Sequence, residues 1–458
     1  MRKVITIILL SITCFAQAQK VTLETLREIG LPVVIVETID AEEPSCDYLT
    51  PEDGYPGYSI HNETKVPGRV LVIEGNDTIY DSGEYEKDIS GMTIKLRGNN
   101  SAYTPKKPYK IKLQSRADML GESDIFKDKN WVLLKDELPS LNLMIGLKIN
   151  KLVGLQWTPR FRFVNVLFNG DYRGVYMLCE SVERNTRCRL NVSNTGFIIE
   201  MDPYWWNEGF YFQSKVLGYK YTFKYPDYDD VDEDQLQYII DYMSVMDNSL
   251  YGGYYDQYID VESFASWVLG HDILGTYDAS GSNLFFTKKD TLDSKLMMGN
   301  MWDFDTIERT LDTFSVIHNT FFAPLFKSKN ELFVNTYIDH WQEISQTFLE
   351  DILAYLDDFA NSELYTALET SRRLDFERWL TKGPTVMENI ESNRQWFIQR
   401  KTYLDKAIQA IQATTAISRP SIQRHKPNGK KYDLKGIAIQ DNCHKGLFIR
   451  DGHLFLSK

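Results

Sequence analysis

The chain has 458 residues, 43% of them hydrophobic and 25% charged, a globular composition long enough for more than one typical domain. Its 51 basic and 64 acidic residues give a net charge of −13, which argues against nucleic acid as a partner. Beyond the first 18 residues no stretch reaches the roughly 18 apolar residues of a membrane span, so no transmembrane segment is expected.

Residues 1–18 hold Arg2 and Lys3, an apolar run from Val4 to Phe15, and small residues at Ala16 and Ala18. That is the pattern of a secretory signal cleaved after Ala18, and the expected address is the periplasm, the cell surface or the medium. Ile12 and Thr13 make Cys14 a poor lipoprotein site. Four cysteines remain after cleavage: Cys46, Cys179, Cys188 and Cys443. They lack metal-site spacing, and a Cys179–Cys188 disulfide and free buried thiols are equally open readings.

The region 19–226 is predicted to be mostly antiparallel strands. Leu31–Thr38 is an apolar strand; Val66–Ile73 and Asp77–Tyr80 are joined through Gly75-Asn76, a hairpin signal. Residues 93–113 (TIKLRGNNSAYTPKKPYKIKL) give a strand, a Gly/Asn/Ser turn, a basic connection and a second strand. On the second strand Tyr109, Ile111 and Leu113 share one face, and Lys110 and Lys112 the other. Backbone N–H groups from Gly98 to Ser101, with the lysines, suit a phosphate; a solvated surface hairpin is the equal alternative. Asn130–Lys135 is a buried strand, Pro139–Val153 a helix, and Phe161–Phe168 with Tyr172–Val182 a hairpin turned by Asn169-Gly170. Phe197–Met201 and Tyr219–Tyr225 complete the β-rich part.

The region 227–413 is predicted to be helical, beginning with amphipathic helices at Glu233–Asn248 and Val261–Leu274 and resuming from Pro324 to Ala413. Between these lie two strand-like pieces, Asn283–Thr287 and Lys295–Trp302, which can bring Asp278, Asn283, Asp303 and Asp305 together. Asp-x4-Asn followed, after a strand, by a further Asp is the spacing of phosphoryl-transfer enzymes of the kinase type. There one Asp receives the acceptor's proton, while the Asn and the later Asp hold a metal. Mg2+ takes oxygen ligands and keeps some water, so one or two carboxylates and an amide suffice. Residues 414–430 are predicted as a linker, and 431–458 as short strands with Gly turns, too small to bury a core.

These blocks together resemble the CotH kinase family. The resemblance spans roughly Pro32 to Asp405 and rests on KLRGNNS (95–101), KKPYKIKL (106–113), the strand beginning at Asn130, VNVLFNGDYRGVYMLCE (164–180), FIIEMD (197–202), Asp278 to Asn283, and Trp302 to Asp305. It implies an α+β, atypical protein-kinase-like fold with an N-terminal mostly antiparallel sheet part and a C-terminal helical part, to which this chain adds its small β tail. It also implies ATP with Mg2+ or Mn2+ as cofactors, and a protein substrate phosphorylated on a Ser/Thr hydroxyl. Asp278 matches the catalytic base, Asn283 and Asp303 the metal residues, and Asp305 their helper. Arg97, Lys107 and Lys112 look like phosphate contacts beside Ser101, and Glu180 and Glu200 fall near the nucleotide cleft. Two departures stand out: Leu141-Asn142 replaces an Arg-Asn pair, and no Gly occurs between Gly299 and Gly383. The tail from Lys431 resembles C-terminal modules of exported proteins of Bacteroides-like bacteria, a hint of surface association.

The competing function is a non-catalytic, pseudokinase-like binding or surface protein for a peptide or glycan, with Trp205-Trp206 and Tyr254-Tyr255 as stacking candidates. A glycoside hydrolase is the weaker third reading, because no pair of carboxylates is singled out by the sequence.

Overall fold

The structure is a computed structural model that describes residues 21–49, 59–135, 140–208, 210–277, 279 and 283–414, with four short strands between 431 and 457. The expected leader and residues 415–430 of the expected linker lie outside the described residues. The chain divides into two compact units, one up to Ile408 and one from Gln409 onward.

Helix α1 (Leu23–Ile29) starts at Thr22, whose side chain accepts from the Thr25 N–H, and stops at Gly30. Then come β1 (Val33–Thr38), a short pair β2 (Asp47–Leu49) and β3 (Ser59–His61), β4 (Val66–Glu74), β5 (Asp77–Asp81), β6 (Met92–Leu96), β7 (Tyr109–Ala117) and β8 (Asp128–Leu134). Helix α2 (Asn142–Leu152) precedes β9 (Phe161–Phe168) and β10 (Asp171–Glu180). Asn169 and Gly170 between these last two have φ of 50° and 75°, the left-handed pair that a two-residue hairpin turn needs. The strands line up as β1-β9-β10-β8-β7-β6-β4-β5, and β1 also pairs with β4. Seven of them therefore close on themselves as a barrel, with β5 an outer flap on β4.

Alternation decides what fills it. Val34 and Val36, Ile94 and Leu96, Tyr109, Ile111 and Leu113, Trp131 and Leu133, and Val164, Val166 and Phe168 all point inward and are buried in one cluster. Each such side chain contributes on the order of 2 kcal/mol, so the barrel supplies its own core.

The second sheet is antiparallel, β12-β13-β11-β14-β15. It takes β11 (Phe197–Met201), β12 (Tyr211–Gln213) and β13 (Lys220–Tyr225) from before the acidic stretch at 227–234, and β14 (Leu284–Lys288) and β15 (Leu296–Met298) from the region predicted to be helical. Helix α3 (Glu233–Gly252) opens on a capping box between Asp232 and Gln235 and buries Ile239, Met243, Met246 and Leu250 along one face. Helix α4 (Val261–Leu274) is buried from Ser263 to its end, and Gly275, at φ 60°, turns the chain out of it. Helices α5 (Ala323–Lys327), α6 (Leu332–Ile344), α7 (Phe348–Ala360), α8 (Glu363–Trp379) and α9 (Val386–Thr414) follow.

Helix α8 packs on the barrel. Lys106 Nζ lies 2.6 Å from Asp375 Oδ2, with 4% and 0% of the two side chains exposed, and the same carboxylate oxygen accepts the Val175 N–H at 2.6 Å. Such a pair holds loop to helix at the expense of two desolvated charges.

In the second unit, β16 (Lys431–Tyr432), β17 (Ala438–Ile439), β18 (Gly446–Arg450) and β19 (His453–Ser457) form an antiparallel sheet of order β17-β16-β18-β19. The α+β arrangement, an N-terminal sheet part followed by a helical part, is the one the sequence predicts. Cys46, Cys179 and Cys188 are free thiols, so the Cys179–Cys188 bridge is not formed; Cys443 lies outside the described residues.

Candidate functional site

The register of the second sheet assembles the site. Met201 pairs with Leu284, and Phe286 with Met298, so the end of β11, the entry to β14 and the exit from β15 meet at one edge. Asn283 and Asp303 sit there in the left-handed region, with φ of 57° and 64°. Asn and Asp tolerate that conformation better than bulkier residues do. The Asn283 amide donates to Asp303 Oδ2 at 3.1 Å.

Alternation then presents the acidic tripeptide. Trp302 is buried among Val132, Cys179, Phe161 and Phe285, and Phe304 is buried over α2, while Asp303 and Asp305 are exposed. A Cβ added at Gly146 of α2 would fall 2.1 Å from the Phe304 ring, so only glycine admits that ring at this distance. Asn142, which follows Leu141 where the family has Arg-Asn, donates its side-chain amide to the Phe304 carbonyl at 2.9 Å. Leu141 itself is buried. No glycine follows the tripeptide until Gly383, and Asp303 and Glu308 supply left-handed residues near it instead.

Asp278 lies outside the described residues. The chain just before it is held by a ladder: Glu308 N–H to Leu274 carbonyl at 2.8 Å, Arg309 N–H to Gly275 at 3.0 Å, and Tyr277 N–H to Thr306 at 3.1 Å. Burial pushes the Glu308 carboxyl up to about 7, and its buried Oε1 has no hydrogen-bond partner among the described residues. Buried His271 sits 3.1 Å from the Thr276 hydroxyl through Nδ1, and burial lowers its pKa to about 3, which keeps it neutral.

Arg97 reaches this edge from the end of β6, its guanidinium carbon 6.0 Å from the centre of the Trp302 ring. Burial lowers its pKa, while Asp303 and Glu200 oppose that shift, so both carboxylates act on it electrostatically. On β11, Glu200 is 2.9 Å from Lys224 Nζ, and Glu208 is 3.8 Å from the same ammonium. Burial alone would lower Lys224; Glu200, Glu208 and Asp202 outweigh it and hold the ammonium charged. Asp202 is pushed up to about 6 by burial and then by Glu200, so it takes up a proton only on the acid side of neutrality.

The remaining predicted residues have contacts of their own. Ser101 lies in a short turn (Asn100–Tyr103) after Gly98, whose φ of 76° and 2.2 Å approach of a built Cβ to Ser101 Oγ both call for glycine. Asn62 donates to the Gly98 carbonyl at 2.8 Å and Asn207 to Asn99 Oδ1 at 3.1 Å, which ties the turn to the segment around Trp205-Trp206. Lys107 donates to the Ala102 carbonyl at 2.8 Å. Lys112 is exposed on β7, on the face of Lys110, whose ammonium is 3.0 Å from Glu183. Glu180 is fully buried and accepts from the Arg160 backbone and guanidinium at 2.8–3.2 Å, a brace between β10 and the 118–122 loop.

Of the predicted site residues, the structure sets Asn283 and Asp303 at this edge, with Glu200 one residue from the end of β11 and Arg97 near the Trp302 ring; Lys224, Asp202 and Asn142 were not among the predicted site residues. Lys224 was legible in principle: along KYTFKY, Lys220, Thr222 and Lys224 share a face, and Thr222 pairs with Glu200. The family resemblance implies a divalent cation, and the residues at this edge could hold one only sparsely. Asn283 and Asp303 offer oxygens at the exposed edge. Among the described residues no three His, Cys, Asp or Glu side chains gather into a metal-binding group. Further ligands would come from phosphate and water.

No curated protein sequence matches this chain. A solved structure titled "Shewanella oneidensis MR-1 Toxin Antitoxin System HipA, HipB and its operator DNA complex" is similar over 62% of this chain and 60% of its own, at 12% identity and a TM-score of 0.26. The chain thus spans less than two thirds of that relative, and a likeness this low carries no argument. The family model described as CotH kinase protein matches residues 94–404, from the β6 strand through nearly all of the helical part. With more than half its length matched and the Asn283–Asp303 edge inside the matched region, the chain belongs to the CotH kinase family.

Proposed function

We propose that the protein is an exported kinase that moves the terminal phosphoryl group of ATP to a Ser or Thr hydroxyl of a protein substrate. The observation that carries this reading is the Asn283–Asp303 pair at the sheet edge, a carboxylate and an amide for a cation, with the Arg97 guanidinium held near the ring of the adjacent Trp302 for phosphate. When bound, the cation supplies charge neutralisation for the phosphates.

The chain's own residues orient and exclude. Asp303 and Asn283, with Asp305 as helper, hold the cation; Arg97 faces the phosphate oxygens, and the N–H groups of the Gly98–Ser101 turn serve the same anion. Lys107 and Lys112 are the further phosphate contacts under this reading, and Glu180 and Glu200 shape the cleft, Glu200 by fixing Lys224. Asp278 accepts the acceptor hydroxyl's proton; it directly follows Tyr277, whose N–H bonds the Thr306 carbonyl. The leader delivers the chain beyond the cytoplasm, and the 431–458 sheet serves surface association.

The test is phosphate incorporation into a mixture of exported proteins from terminally labelled ATP with Mg2+ or Mn2+. Asp278→Asn is expected to abolish incorporation and keep nucleotide binding. ATP binding without incorporation into any acceptor, in wild type as in the variant, would instead favour the non-catalytic binding protein.

A further inference from the structure

We propose that the cavity between the barrel and helices α7 and α8 is a second binding site, one for a small organic cation with an aromatic or bulky apolar body. Its volume is about 870 Å³, in the range of pockets that enclose small ligands. Phe161 and Phe163 of β9 form one wall; Met144 of α2 and Tyr355 and Phe359 of α7 form the other. Apolar walls of this kind take an apolar body, and the lining charges decide its sign.

Arg162 is the cation of the lining, and both its terminal nitrogens bond to Glu74, Nη1 at 3.0 Å. That pair is internally neutral. Asp358 and Glu363 are left, two exposed lining carboxylates with no ion pair to either among the described residues. The start of α8 does not offset them toward an anion, because Ser362 already caps it and Glu363 stands in its first turn. One face of the Tyr355 ring is already taken by Lys148, whose Nζ lies 5.0 Å from its centre, so selection for a ligand cation falls to Asp358 and Glu363. Two carboxylates at the mouth of an aromatic-walled cavity select an arylalkyl ammonium over its neutral or anionic analogue.

This site is separate from the phosphate edge. Met144 lies two residues from both Asn142 and Gly146, about 200° around the helix, so it faces away from the side of α2 that holds Phe304. Binding here is therefore measurable without nucleotide or metal and stands or falls independently of the kinase reading.

The experiment is calorimetric titration of the purified chain with tryptamine, indole-3-ethanol and indole-3-acetate as cationic, neutral and anionic probes of one shape. Tryptamine is expected to bind roughly tenfold more tightly than the neutral probe, with indole-3-acetate weakest. The exposed pair Asp358→Asn with Glu363→Gln is expected to erase that preference while shifting the melting temperature by no more than a few degrees, since Glu363 also sits in the first turn of α8. Absence of tryptamine binding up to about 10 mM, equal binding of the three probes, or a preference that survives the double substitution would each overturn the proposal.

Discussion

Asn283 and Asp303, 20 residues apart and both left-handed, are joined by a 3.1 Å hydrogen bond at the edge where β11 and β15 end and β14 begins. Backbone conformation and ligand geometry are thus set by the same two residues, and substitution separates them. Asn283→Gly keeps the positive φ without the amide: stability is expected to change by less than about 1 kcal/mol, while metal-dependent nucleotide binding falls. Asn283→Val strains the backbone as well and is expected to cost about 1–2 kcal/mol. Urea melts beside nucleotide titrations of both variants distinguish the two effects.

Gly146 is expected to be intolerant of even one methyl group. Gly146→Ala pushes against the Phe304 ring and its neighbour Asp303, with a loss of about 1–3 kcal/mol and weakened nucleotide binding. Chemical denaturation and nucleotide titration of the variant check both parts. Undiminished binding would mean the loop moves independently of α2.

Lys106→Met strands Asp375 as a buried charge and is expected to cost about 3–5 kcal/mol, whereas Lys106→Met with Asp375→Leu recovers most of it. Equilibrium unfolding of the single and double variants gives the comparison. A double variant no more stable than the single would show that the Val175 N–H bond to Asp375, which Leu cannot replace, dominates.

Glu308 and Asp202 give the fold a pH dependence whose sign follows from burial. Their folded pKa values, about 7 and about 6, lie above the ordinary carboxylate range, so the folded state binds more protons than the unfolded one between about pH 4 and 7. Stability contributed by their protonated forms is complete at the acid end of that window and is lost as pH rises through it. Glu308→Gln is expected to flatten the slope and to stabilise the protein at pH 8 by on the order of 2 kcal/mol, with little effect at pH 4. Melting temperatures across that range are the readout.

Local chemistry made much of this legible in the sequence. Asn169-Gly170 forces its hairpin, the alternation of Tyr109, Ile111 and Leu113 defines an inner face, and Asp303 between Trp302 and Phe304 marks an exposed acid flanked by anchors. Barrel closure was not legible, because the parallel pairing of β1 with β9 joins Val33 to Asn165 across more than a hundred residues and leaves no local trace. The predicted strand Lys295–Trp302 shrinks to Leu296–Met298, since the chain departs from the ladder after the Gly299 N–H bonds Phe285. Lysine roles were the least readable: Lys106, Lys107, Lys110 and Lys112 crowd one motif, yet they meet a buried aspartate, a carbonyl, a glutamate and solvent, which tertiary packing alone decides.

The central claim is tested most directly by thermal denaturation of the purified chain with ATP, with and without Mg2+ or Mn2+, for wild type and Asp303→Ala. The account predicts a rise in melting temperature that requires both nucleotide and metal and disappears in the variant. No rise in wild type with either metal, or an equal rise in Asp303→Ala, would contradict it.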